Sequence, residues 1–114
     1  MLEPLRKRED FERVRREGLR RRGHYCIVQA VPNGDPERTR VGIVAGRSIG
    51  RAVKRNRARR LLRESIRLLA GSLASGWDVV LVAQPTIIAE RARMQAVKDD
   101  LQCVLKQLHL ITSP

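Results

Sequence analysis

The chain has 114 residues, 42% of them hydrophobic, which suits one folded domain over residues 1–114 and excludes a wholly disordered chain. It carries 24 Lys and Arg against 12 Asp and Glu, and a net charge of +12 opposes compaction unless a polyanion neutralises it. The longest apolar runs are too short for a membrane span and the N-terminal residues lack a signal peptide's apolar stretch, so we expect a cytoplasmic protein without a membrane partner.

The first predicted element is a helix over residues 8–17, with Gly18 just past its end. Residues 19–23 include three consecutive arginines without any periodicity, and they are predicted to form an exposed connection. A strand is predicted over residues 24–31, because its side chains alternate between two faces. One face would hold Tyr25, Ile27, Gln29 and Val31, and the other Cys26, Val28 and Ala30.

Turn-forming residues at 32–36 precede a second strand over residues 40–45, and the two strands are predicted to form an antiparallel hairpin. A basic helix follows over about residues 51–67, with Ser48 as its N-cap and Gly50 at its entry. Small and apolar side chains recur at helical spacing along it and predict a buried face. That face consists of Ala58, Leu61, Leu62, Ser65 and Leu69.

A third strand is predicted over residues 77–84, whose nearly continuous apolar run indicates a central or parallel strand buried on both faces. The last helix is predicted over residues 89–108. Its core stripe would consist of Met94, Val97, Leu101, Val104, Leu105 and Leu108. The order helix–strands–helix–strand–helix predicts an α+β fold, a small αβ sandwich with a mixed sheet.

Motifs for catalysis are missing from the sequence, which contains no HExxH, no P-loop and no GxGxxG after a strand. Asp99 and Asp100 are adjacent and would diverge by about 100° on a helix, so they are interpreted as a solvated face rather than a carboxylate pair. Cys26 and Cys103 lie in apolar patterns and are predicted to be buried, reduced thiols. We therefore predict neither a catalytic residue nor a metal site.

The basic helix carries the strongest functional signal. Between residues 47 and 67 there are nine basic side chains and one acid, Glu64. The basic set is Arg47, Arg51, Lys54, Arg55, Arg57, Arg59, Arg60, Arg63 and Arg67. Five of these arginines form an i,i+4 ladder in which neighbouring charges repel, so an external anion explains the pattern better than solvation.

The chemistry of the basic residues favours nucleic acid over an anionic membrane surface or a purely solubilising role. Arginine accounts for 20 of the 24 basic residues, and its planar fork matches phosphate oxygens and stacks on bases. Residues 1–67 hold 20 basic and 8 acidic side chains, whereas residues 68–114 hold four of each. Charge alone does not separate DNA from RNA, and three aromatic residues are too few for a stacking platform over several bases.

Residues 47–64 resemble the signature of the bacterial ribonuclease P protein family. Its pattern, basic-x-x-Gly-x-Ala-Val-x-Arg-Asn-x-x-basic-Arg-x-x-Arg-Glu, matches without a gap. Weaker similarities lie at residues 8–11, 40–42 and 77–80, so the resemblance covers nearly the whole chain.

The resemblance implies a fold with a left-handed crossover through the basic helix and a further short strand that the sequence does not place. It implies that this protein is the small subunit of a ribonucleoprotein that removes the 5′ leader from precursor tRNA. The RNA subunit would carry catalysis with Mg²⁺, bound mainly by that RNA and the substrate, and no obligate protein partner is expected. The implied contacts to the catalytic RNA include Arg55, Asn56, Arg59, Arg60 and Arg63. For Asn56, a buried hydrogen bond within the helix is the alternative.

The family also binds the substrate leader in a cleft between the first helix and the sheet. By resemblance, Phe11, Arg15, Tyr25 and Gln29 would line that cleft. Arg15 and Gln29 stand where the family often has aromatic residues, which implies that charge contributes more here and stacking less. Core packing is the alternative role for Phe11 and Tyr25.

Two other functions fit parts of this sequence. A structural RNA-binding protein, such as a ribosomal component, would bind RNA without stimulating leader cleavage. A basic module for membrane surfaces or DNA would bind anionic vesicles or duplex DNA as tightly as folded RNA.

Overall fold

A computed structural model describes residues 2–111, which form a mixed five-stranded sheet with helices on both faces. The strands are β1 (Leu2–Pro4), β2 (Leu19–Arg22), β3 (Cys26–Pro32), β4 (Thr39–Val44) and β5 (Trp77–Ala83). The helices are α1 (Arg8–Glu17), α2 (Ala52–Leu69), α3 (Thr86–Ala89) and α4 (Met94–Gln107). This architecture agrees with the predicted α+β class, and α1 has the predicted bounds.

The apolar strand β5 lies in the middle of the sheet, whose order is β1-β4-β5-β3-β2. It pairs in parallel with β4 and antiparallel with β3, so the predicted hairpin between β3 and β4 is wrong. The physical reason is burial, since a strand that is apolar on both faces is most stable between two neighbours with a helical layer on each side. The prediction of β5 as a central strand is confirmed.

Two short strands form the edges of the sheet. β1 pairs in parallel with β4, and β2 pairs antiparallel with β3, so the predicted irregular connection at residues 19–23 is wrong. All four side chains of β2 are exposed. Its backbone hydrogen bonds, rather than any buried side chain, make it a strand, and so the sequence shows no alternation there.

The core is divided between the two faces of the sheet. The main cluster lies between the sheet and the layer of α2 and α4, and the predicted alternation of β3 places Cys26, Val28 and Ala30 in it. The predicted faces of α2 and α4 are largely confirmed, although Leu61, Met94 and Leu108 are only partly buried. A smaller cluster beneath α1 contains Leu5, Val14, Val31 and Val80.

The starts of two helices differ from prediction. Ser48 lies in a 3₁₀ turn, Arg47–Ile49, and makes no capping hydrogen bond, while Gly50 at φ 125° turns the chain before α2. The predicted helix over residues 89–108 begins five residues later than expected, at Met94, where its predicted core stripe also starts. Ala89 instead ends the short helix α3, which was not predicted, and the left-handed backbone of Arg91 at φ 50° separates α3 from α4.

Two predictions about single residues are corrected. Cys26 is buried, which raises the pKa of its thiol to about 12, but Cys103 is exposed. Asp99 is exposed as expected, whereas Asp100 accepts hydrogen bonds from the backbone N–H groups of His24 and Tyr25, each at 2.8 Å. Within residues 2–111 no helix is long and apolar enough to cross a membrane.

Candidate nucleic-acid interface

The basic residues of α2 lie on both sides of its buried stripe. At about 100° per residue, Arg59 and Arg63 fall on one side of the stripe, and Lys54 and Arg57 on the other. The surrounding surface agrees with this placement. Arg63 lines a groove with β1 and β4, whereas Lys54 and Arg57 line another groove with α3. The helix therefore presents two positively charged flanks rather than one.

Within residues 2–111, few groups neutralise these charges. Arg67 Nη1 lies 3.6 Å from Glu64 Oε1, and Arg59 Nη1 donates to Asn56 Oδ1 at 3.1 Å. In the described part of the chain, the other predicted RNA-binding cations form no side-chain hydrogen bond or ion pair. They are Arg47, Arg51, Lys54, Arg55, Arg57, Arg60 and Arg63. The Nε of Arg55 is buried and has no hydrogen-bond partner within residues 2–111. Such a surface has strong attraction for a polyanion.

Asn56 is exposed at the surface of α2. Its side-chain oxygen accepts the hydrogen bond from Arg59 just described, so the alternative of a buried hydrogen bond within the helix is wrong. The contact holds the Arg59 guanidinium beside the Asn56 amide, and both groups can reach the same ligand.

A second positively charged feature is the cleft between α1 and the sheet, with a volume of about 510 Å³. The structure brings three of the predicted leader-binding residues into this cleft, namely Phe11, Arg15 and Gln29. Val44, Val80 and Val82 supply apolar surface, and Arg15 and Arg20 supply positive charge. The remaining lining cation, Arg8, donates from Nε to Oε1 of the lining residue Glu12 at 3.1 Å. Arg20 was not predicted here, because its place depends on the pairing of β2, which sets it opposite Gln29.

Phe11 contributes to both the cleft and the core. Its ring is partly buried against the smaller core cluster and also lines the cleft. The ring rests on the backbone of Gly42 in β4, where a Cβ atom would lie 2.4 Å from the Phe11 ring atoms Cε1 and Cζ. Packing and ligand contact are therefore compatible roles for this side chain.

Tyr25 lies outside the cleft, contrary to the predicted face. Its ring packs against the main core and makes an edge contact with His24 at a centroid distance of 4.6 Å. Its hydroxyl donates to Glu90 Oε1 at 3.4 Å. The cause is local, because β3 begins only at Cys26 and Asp100 holds the backbone of the two preceding residues.

A buried carboxylate fixes α1 to the sheet beside the cleft. Asp78 is fully buried, and its Oδ2 accepts hydrogen bonds from Arg13 Nη2 at 2.5 Å and from Arg40 Nη2 at 2.6 Å. Its Oδ1 accepts from Arg40 Nε at 2.9 Å and from Asn33 Nδ2 at 3.3 Å. These contacts raise the pKa of Arg40, chiefly through its hydrogen bond to Asp78. The sequence revealed the charges but not their convergence on one carboxylate.

Within residues 2–111, no group of three or more His, Cys, Asp or Glu side chains is placed to hold a metal ion.

Comparisons with known proteins agree with this geometry. A family model described as Ribonuclease P matches residues 2–109. The ribonuclease P protein component of Ruegeria pomeroyi is 41% identical over 92% of this chain and 85% of its own. That of Chloroflexus aurantiacus is 36% identical over 96% of this chain and 80% of its own. The solved ribonuclease P protein from Thermotoga maritima is 33% identical, with a TM-score of 0.81 over 92% of this chain and 96% of that one.

Proposed function

The chain belongs to the ribonuclease P protein family, and from that premise we propose that α2 binds the catalytic RNA while the cleft beneath α1 binds the 5′ leader of precursor tRNA. As a member of this family it is the protein component of an endoribonuclease, and its partner is the ribonuclease P RNA. The observation that carries the proposal is the set of basic residues on α2 without partners in the described part of the chain. A folded RNA supplies phosphate anions for these unpaired cations.

The α2 contact acts through charge and geometry. Arg55, Arg59, Arg60 and Arg63 would bind phosphates, and Asn56 would hold Arg59 in place while its own amide contacts the RNA. Arg47 and Arg51 extend the positive surface into the turn before the helix. Each neutralised phosphate releases counterions, and that release drives assembly.

The cleft suits a single strand rather than a duplex. Its apolar surface and the Phe11 ring can contact bases, while Arg15 and Arg20 can contact the backbone, since Arg8 is paired with Glu12. Phe11 is the one aromatic residue in the cleft lining, so leader affinity rests more on charge than on stacking. Binding there raises affinity for precursor over mature tRNA, because only the precursor has a leader.

In this proposal the chemistry of leader removal belongs to the RNA subunit. The Mg²⁺ ions that the reaction needs are held mainly by that RNA and the substrate. The positive charge of the protein reduces the repulsion between RNA phosphates and so lowers the Mg²⁺ concentration required for folding and substrate binding. A cytoplasmic location follows from the proposed substrate.

The test is cleavage of precursor tRNA by the catalytic RNA at low Mg²⁺, with and without this protein. We expect the wild-type protein to stimulate cleavage. The double variant Arg55→Ala, Arg59→Ala should bind the RNA more weakly and stimulate cleavage less than the wild-type protein does. The matched control is Lys98→Ala, Lys106→Ala, which removes the same charge from α4, and thermal unfolding verifies that both variants fold.

Several outcomes would contradict the proposal. Absence of stimulation by the wild-type protein would reject the function, and RNA binding without stimulation would favour a structural RNA-binding protein. Equal loss of affinity in the α4 control would show that α2 is not the interface. Unchanged preference for precursor over mature tRNA in Phe11→Ala would argue against leader binding in the cleft.

A further inference from the structure

The second flank of α2 borders a groove that combines residues of the basic helix with residues from the part of the chain after it. This α2–α3 groove is lined by Val53, Lys54, Arg57, Ile88 and Arg91 and has a volume of about 490 Å³. That volume lies within the range of small-ligand sites, about 300–1,000 Å³. Two of its residues come from α3 and the turn after it, in the half of the chain whose charges sum to zero.

The groove carries positive charge that the described residues leave unpaired. Within residues 2–111, Lys54, Arg57 and Arg91 form no side-chain hydrogen bond or ion pair, and no acid is among the lining residues. Glu90 is adjacent to Arg91 in sequence but its carboxylate binds His24 Nε2 at 2.8 Å, a contact that raises the pKa of His24. The three cations are therefore available to an anionic ligand.

The groove also has an aliphatic surface. Val53 is 81% exposed on α2, and the partly buried Ile88 faces the same space. Single exposed apolar residues are common, but here two aliphatic side chains lie among three cations. An apolar surface of this small size, bordered by positive charge, matches the face of one nucleobase with its adjoining phosphates.

We propose that the α2–α3 groove binds one unstacked nucleotide of the catalytic RNA, with the base on Val53 and Ile88 and the phosphates on Lys54, Arg57 and Arg91. The proposal rests on the proposed function and extends it, because RNA would contact both flanks of α2. An acidic peptide or a membrane fits less well. Two aliphatic side chains supply too little apolar surface for a stable peptide interface or for insertion between lipids.

The test compares Arg91→Ala with the matched control Arg93→Ala, which removes the same charge from an exposed position outside the groove. Alanine is compatible with the backbone at residue 91 to the same degree as arginine, since both are L residues. The dissociation constant of the full chain for the catalytic RNA is measured over a range of KCl concentrations. We expect Arg91→Ala to bind the RNA about fivefold more weakly than the wild-type protein, which is near the largest loss caused by removing one exposed ion pair. The control should bind like the wild-type protein.

The salt dependence distinguishes the two parts of the groove. Arg91→Ala should reduce the slope of log affinity against log salt by about one, because one phosphate contact is lost. Val53→Ser should weaken binding with an unchanged slope, because it removes apolar contact but no charge. Thermal unfolding of each variant verifies that the fold is retained.

Equal affinities of Arg91→Ala and Arg93→Ala for the RNA would overturn the proposal. The proposed function is tested separately by the double variant Arg55→Ala, Arg59→Ala. If only the groove proposal is wrong, that double variant still binds the RNA more weakly than the wild-type protein does. Binding to anionic vesicles is measured in parallel. If Arg91→Ala lost vesicle binding and kept its affinity for RNA, the groove would be a membrane contact instead.

Discussion

At the residue scale, the contact between Phe11 and Gly42 sets the position of the one aromatic ring in the cleft. The Gly42→Ala variant would place a Cβ atom 2.4 Å from two ring atoms and 3.2 Å from Leu5 Cβ, so the ring has to move. We expect a loss of about 1–3 kcal/mol in the free energy of unfolding from overpacking. We also expect a reduced preference for precursor over mature tRNA, measured as the ratio of their dissociation constants with the holoenzyme.

The control for that prediction is Gly71→Ala, because a Cβ atom at Gly71 meets nothing within 4 Å and its backbone needs no positive φ. Affinity for the catalytic RNA should be unchanged in both variants. A Gly42→Ala protein with wild-type leader preference would show that the ring position does not matter for the substrate.

The residue scale also shows what local patterns could and could not predict. Alternation along β3 placed Gln29 in the cleft, because period-two patterning follows directly from strand geometry. The same pattern failed for Tyr25, whose position depends on a carboxylate 75 residues later in the chain. The role of Asn56 depended on whether its side chain is exposed or buried, and its position in the helical repeat alone did not decide between the two.

At the element scale, the attachment of α1 to the sheet depends on Asp78. Breaking a buried ion pair costs about 3–5 kcal/mol, and the lower end applies because the side chains of Arg13 and Arg40 are 29% and 33% exposed. We expect Asp78→Asn to lose about 3 kcal/mol in the free energy of unfolding, measured by urea denaturation. The control Asp99→Asn, on the exposed side of α4, should change it by less than about 0.5 kcal/mol.

A small effect of Asp78→Asn, equal to that of Asp99→Asn, would show that apolar packing alone holds α1. In that event the cleft would owe its shape to Val14 and its neighbours in the smaller core cluster rather than to the buried carboxylate.

A helix or strand was predictable where the periodic pattern of its own residues determines it. The helix α1 and the buried face of α2 follow from local periodicity, and both are found. The edge strand β2 and the division between α3 and α4 were missed for different reasons. β2 exists through backbone pairing with β3, and the division depends on a left-handed backbone at Arg91, a residue type that gives no such signal.

At the scale of the whole molecule, the two halves of the sequence have separate roles in one fold. The neutral half supplies β5, the central strand, and α4, which covers the main core. The basic half supplies the other four strands, α1 and nearly all of α2. Most of its cations lie at the surface, although Arg13 and Arg40 are partly buried on Asp78. Composition predicted a polyanionic partner, but the order of the strands was beyond local reasoning, because the placement of β5 between β3 and β4 depends on pairing across the whole chain.

This separation predicts a strong salt dependence for assembly with the catalytic RNA. If the charged surface neutralises about 6–10 phosphates, affinity should fall about 10³–10⁵-fold between 50 and 200 mM salt. Binding titrations at several KCl concentrations measure the slope, and Lys98→Ala, Lys106→Ala is the control that lowers net charge without changing α2. Because counterion release counts contacts rather than total charge, that control should keep the wild-type slope, whereas Arg55→Ala, Arg59→Ala should reduce it by about two. Equal slopes for all three proteins would mean that the net charge of +12 attracts RNA diffusely and that α2 has no special part in the interface.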